Sequence, residues 1–82
     1  MDYKTLPLVE ITWEDHFSSD EWTTQDDVTL AGSVFVTTIG YLIKETRTKI
    51  VLAQNVSSAG NISGTMTILK KTVKTRTVIR EA

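Results

Sequence analysis

The sequence predicts one small, mainly β domain: a strongly bent five-stranded barrel with one short helical turn. Three observations carry that expectation. Runs of β-branched and aromatic residues alternate with polar ones, most cleanly in Val9-Glu10-Ile11-Thr12-Trp13-Glu14. Residues 34–56 hold two apolar runs joined by the polar tetrapeptide Glu45-Thr46-Arg47-Thr48, which reads as a hairpin. Gly40 interrupts the first of these runs, and a glycine inside a strand marks a bulge, a sharp bend or the close approach of another backbone. A hairpin alone is marginal in water, so the flanking segments must complete a sheet around it.

Residues 1–7 read as a loose lead-in, in which Pro7 holds Leu6 extended and marks the start of order. Residues 8–14 form the first strand, with Val9, Ile11 and Trp13 on the buried face and Glu10, Thr12 and Glu14 on the other. From residue 15 to 32 the alternation breaks. There Ser18 and Glu21 fit a capping box, and Trp22 can anchor one turn of α- or 3-10 helix before Asp26 and Asp27 favour a turn. Residues 34–44 form the second strand, with Phe35, Ile39, Tyr41 and Ile43 on one face and Val34, Val36 and Leu42 on the other. A strand apolar on both faces is central in its sheet or packs against a second subunit. Bent at Gly40, it can serve two sheet edges. Residues 49–56 form the third strand, followed by a polar loop marked by Gly60-Asn61. Residues 65–70 and 72–80 form the fourth and fifth. In the fifth, Val73, Thr75, Thr77 and Ile79 alternate with Lys74, Arg76, Val78 and Arg80, a charged outer face of the kind that protects an edge strand. Five short strands of this type suit a barrel of the SH3-like or Sm-like kind, with an open meander stabilised as a dimer as the alternative.

The 82 residues form a single domain spanning 1–82. A chain this small buries about 60–65% of its unfolded surface, so its core is thin. Cysteine is absent and His16 is the one histidine, which excludes disulfides, thiolate metal sites and multi-histidine zinc sites. Carboxylate-only calcium or magnesium sites have no loop signature here. Homo-oligomerisation is expected, because a small domain without disulfides or metal commonly buries more apolar surface that way. The amino-terminal stretch opens with an acid and has no long apolar run, so neither a signal peptide nor a membrane span is expected, and the location expected is cytoplasmic. The glycosylation-like triplets at Asn55 and Asn61 read as turn residues. Charge is asymmetric: residues 1–30 hold eight acids against Lys4, whereas residues 31–82 hold eight bases against Glu45 and Glu81. Separated in space, these halves suit head-to-tail association or an anionic ligand; folded together, they neutralise each other.

The chain resembles a group of small bacteriophage proteins. The residues that carry the resemblance are 9–16 (VEITWEDH), Trp22, residues 38–45 (TIGYLIKE), residues 50–54 (IVLAQ) and residues 66–70 (MTILK). Where the group closes with an I-P-K-x-x-I turn, this chain has Leu69 in place of the proline and Val73 at the last apolar position. The resemblance implies a phage-type origin, a barrel and a place in the host cytoplasm. It implies no reaction.

No glycine-rich phosphate loop, zinc spacing or nucleophile elbow is present, so no catalytic residue, metal site or cofactor is assigned. Asp15-His16 ahead of Ser18-Ser19 invites comparison with a hydrolase. Neighbours in an extended chain point to opposite sides, however, and a strand-ending hydrogen bond explains them more simply. Aromatic rings near cations suit base stacking with phosphate contact. The alternation favours core burial for Trp13 and leaves Trp22 and Tyr41 as ring candidates, with Lys74, Arg76 and Arg80 of the last strand as cations beside Lys70 and Lys71. A solvated edge is the plainer reading of that strand, and a pI near 5.7 argues against tight nonspecific DNA binding. The reading favoured is a non-enzymatic, self-associating binding module, an accessory factor for a nucleotide, nucleic acid or host protein, with Trp22, Tyr41, Lys74, Arg76 and Arg80 in contact. A purely structural or protein-interaction subunit is the alternative.

Overall fold

A computed structural model describes residues 5–15 and 34–82. Five antiparallel strands form one sheet: β1 (Leu8–Asp15), β2 (Val34–Glu45), β3 (Lys49–Val56), β4 (Ile62–Leu69) and β5 (Val73–Arg80), in the order β4-β3-β2-β1-β5. A 3-10 turn, Lys70–Thr72, joins β4 to β5. The mainly β expectation and all five strands are present, with β4 starting three residues earlier than the apolar pattern suggests. Among the described residues β4 and β5 do not pair, so the sheet is open rather than a closed barrel. The helical turn expected around Ser18, Glu21 and Trp22 lies outside the described residues, as does His16.

The inner face carries the core. Val9, Ile11, Ile50, Leu52 and Ile68 are fully buried there, with Trp13, Leu42 and Val73 packed against them. The Trp13 indole Nε1 donates to Thr38 Oγ1 at 3.0 Å, and that hydroxyl donates to Met66 Sδ at 3.7 Å. The buried hydroxyl is thereby satisfied, as burial requires. β2 is the central strand, as its two apolar faces suggest. It pairs with β1 from Val34 to Tyr41 and with β3 from Tyr41 to Glu45, changing partner next to Gly40.

Gly40 is not at a bulge: it pairs directly with Val9. The reason for glycine is close approach, since a Cβ there would lie 3.0 Å from the Ala53 carbonyl oxygen and 3.2 Å from Leu52 Cβ. Beside it, Gln54 Nε2 donates to the Ile39 carbonyl at 2.9 Å, occupying an acceptor in the part of β2 that β3 does not pair.

The face assignment within β5 needs correction. Its ladder with β1 slips between Leu8 and Val9 and again between Thr12 and Trp13. Each slip inserts an extra residue and breaks the strict alternation. Val73, Arg76 and Val78 therefore pair with Trp13, Ile11 and Val9 on the inner side, while Thr75, Thr77 and Arg80 pair with Thr12, Glu10 and Leu8 on the outer side. Arg76 does not share a face with Arg80.

Candidate functional site

The outer face of β5-β1-β2 is built in cross-strand rows, because residues directly opposite in a ladder share a face. β2 contributes Phe35, Thr37, Ile39 and Tyr41, opposite Glu14, Thr12, Glu10 and Leu8 of β1. Thr12 and Thr37 share a hydrogen bond between their hydroxyls at 3.0 Å. Two cations from β5 stand over the two aromatic rings. Arg80 lies 5.7 Å from the Tyr41 ring centroid, and Lys74 lies 5.9 Å from that of Phe35. Both distances are in the range where ring and cation attract. Six residue steps along the strand separate the rings, roughly 20 Å at the usual rise. The pairs are thus two ends of one surface, with exposed Ile39 between them.

Of the residues expected to contact a ligand, Tyr41 and Arg80 are brought together here and Lys74 joins the same face at its far end. Trp22 lies outside the described residues. Arg76 is separated from the others by the β5 register, and its charge is engaged. Its Nη1 and Nη2 donate to Glu45 Oε2 and Oε1 at 3.0 and 2.9 Å, a bidentate pair. Lys70 Nζ lies 2.8 Å from Glu45 Oε2 on the other side. Hydrogen bonds from Arg76 first, and Lys70 second, hold the Glu45 carboxyl down at about 2; the same carboxylate raises Arg76. The end of β2, the 3-10 turn and β5 are tied together by this network.

The sequence reading missed Phe35 and Glu45. Alternation puts Phe35 on a face with Ile39 and Tyr41, but only the register shows that this face meets the polar side of β1. A strand-end glutamate opposite a basic strand carries no signal until the fold puts Lys70 and Arg76 beside it.

A second concavity lies at the end of the sheet, where the β2–β3 turn meets the 3-10 turn. One cavity of about 370 Å³ is lined by Arg47, Thr48, Leu69, Lys70 and Lys71. A groove of about 300 Å³ continues from Lys71 and Leu69 to Trp13, Glu14 and Asp15. Among the described residues no group of three histidines or acids is placed to hold a metal ion, and no helix is long and apolar enough to cross a membrane. Comparison of the chain with protein-family models, curated proteins and solved structures finds no match.

Proposed function

We propose that the protein is a non-enzymatic binding module, a phage-type accessory protein that takes a protein partner on the outer face of β5-β1-β2 and self-associates through its sheet edges. Phe35 carries this reading: it is 63% exposed, on the same face as Ile39 at 46%. Aromatic side chains and positively charged groups with fixed geometry are what protein interfaces concentrate at their centres. A protein partner suits this face better than a nucleic acid. Glu10 and Glu14 stand among the same rows as Lys74 and Arg80, so the face offers both signs of charge instead of a continuous positive track. Self-association is supported by the two edges. β4 and β5 are eight residues each, and neither is paired on its far side with another described strand. Open edges of this kind accept an added strand.

The test uses Phe35→Asp, a substitution at an exposed position that leaves the core untouched. Immobilised wild type and variant are incubated with cell extract, and any protein held by the first and not by the second is purified and recombined with the module. A stoichiometric complex that the variant does not form supports the reading. Identical retention by both proteins removes the outer face from consideration.

A further inference from the structure

We propose that the end of the sheet at the β2–β3 turn and the 3-10 turn binds a small phosphate-bearing anion, in a site separate from the outer face. The 370 Å³ cavity there lies within the size range of small-molecule sites. Its cations differ in how far they are already engaged. Lys70 is paired with Glu45, whereas Arg47 and Lys71 make no ion pair with a described residue. Two positive charges with no ion pair among the described residues, one of them a guanidinium suited to bidentate phosphate contact, therefore line one cavity.

The two chain segments that carry them are held together before any ligand arrives. Thr46 Oγ1 accepts from the backbone N–H of Thr48 at 3.4 Å and of Lys49 at 3.1 Å, closing the β2–β3 turn. The Lys70 backbone N–H donates to the Thr48 carbonyl at 2.8 Å and fixes that turn against the 3-10 turn. Thr72 Oγ1 donates to the Leu69 carbonyl at 2.7 Å, fixing the 3-10 turn in its own right. A cation pair on pre-ordered backbone loses less freedom on binding than one on loose loops.

Two features define the class of ligand. Leu69, 41% exposed, gives the cavity an apolar wall, so the ligand carries a small apolar or ring-shaped body beside its phosphate. The groove leading away past Lys71 carries Glu14 and Asp15, whose charge opposes a polyanionic strand continuing in that direction. A compact phosphomonoester or diphosphate fits these features; an extended nucleic acid does not.

Isothermal titration calorimetry at low ionic strength, with inorganic pyrophosphate as probe, tests the site. The wild type should bind one equivalent saturably. Arg47→Ala and Lys71→Ala, both on exposed turns, should each weaken binding about tenfold, the loss expected for one charge-assisted contact. Lys44→Ala, an exposed lysine outside the cavity, should not change it. AMP and ribose 5-phosphate then serve as arms that separate a nucleotide from a sugar phosphate, by which of the two binds more tightly. Absence of saturable pyrophosphate binding would overturn the proposal. So would equal weakening by Lys44→Ala, since that reports general charge and not a site. Circular dichroism melts of each variant establish that a lost signal is not lost fold.

Discussion

Replacing Glu45 by glutamine removes the carboxylate on which two cations from different chain segments converge. Arg76 supplies two hydrogen bonds at 2.9 and 3.0 Å, and Lys70 an ion pair at 2.8 Å. Together they lower the carboxyl from 4.5 to about 2. At about 1.4 kcal/mol per pH unit, that displacement would correspond to roughly 3 kcal/mol in a dry interior. The three side chains are 32–35% exposed, and water screens most of the interaction, leaving about 1 kcal/mol. For a domain of this size the loss lowers Tm by about 4–8 °C. The pH dependence follows from the direction of the displacement. A carboxyl lowered in the folded state stabilises the fold above its unfolded value of 4.5, and that contribution fades as pH falls toward about 2. Urea denaturation of wild type and Glu45→Gln should therefore differ by about 1 kcal/mol at neutral pH and converge in acid. The neutral-pH difference should also shrink in about 1 M salt. A difference that stays constant from neutral pH to about pH 2 would refute the ion-pair account and assign the loss to shape or packing.

Three further substitutions probe the sheet itself. Gly40→Val places a side chain 3.0 Å from the Ala53 carbonyl, and should cost about 1–3 kcal/mol in a thermal melt. Lys74→Ala, at an exposed position, should stay within about 0.5 kcal/mol of wild type, and equal melting temperatures for these two variants would refute the close-approach argument. Gly64→Ala forces a Cβ onto a backbone with φ of +66° and to within 3.0 Å of Gln54 Cβ. The expected cost is about 1–2 kcal/mol, read as a lower denaturation midpoint. Leu52→Ala empties a fully buried position and should cost about 2–5 kcal/mol, enough to unfold much of a domain with so thin a core at moderate temperature.

The strands were legible because their side chains alternate. Val9, Ile11 and Trp13 announce both β1 and its buried face, and the hairpin of β2 and β3 follows from the polar tetrapeptide that interrupts two apolar runs. The start of β4 was not legible: Ile62, Ser63 and Gly64 look like loop residues, and become strand only because β3 offers Asn55 and Val56 as partners. Gly40 announced a special position, but local composition does not distinguish a bulge from close approach; the nearness of Ala53 is a property of the neighbouring strand. The site was less legible than the fold. Ring and cation types were visible in Tyr41, Lys74 and Arg80, whereas their neighbours were not, because those depend on the order of the strands.

The register of β5 decides what its charges can do. By strict alternation, Lys74, Arg76 and Arg80 form one basic face, the simplest basis for phosphate binding along an edge strand. The two slips against β1 send the three cations to three different neighbours: Lys74 to the Phe35 ring, Arg76 to the Glu45 carboxylate and Arg80 to the Tyr41 ring. Each charge is then used in holding a place on the sheet, and the strand no longer acts as a unit. Arg47 and Lys71, which have no such neighbour among the described residues, lie on the turns at the end of the sheet, where an apolar wall stands beside them. The proposed anion site and the proposed docking face thus lie on different surfaces, and the two inserted residues of the eight-residue β5 keep its cations out of a single basic face. Deleting Lys74, one of the two inserted residues, should test this division. With that slip removed, Val73 and Thr75 stand opposite Trp13 and Thr12 in an unbroken ladder, Arg76 keeps its place opposite Ile11, and only the contact of Lys74 with the Phe35 ring is lost, so the variant should keep the acid dependence of the wild type. A deletion variant that loses the acid dependence of the wild type would show that Lys74 is not a simple inserted residue and would overturn this account of the β5 register.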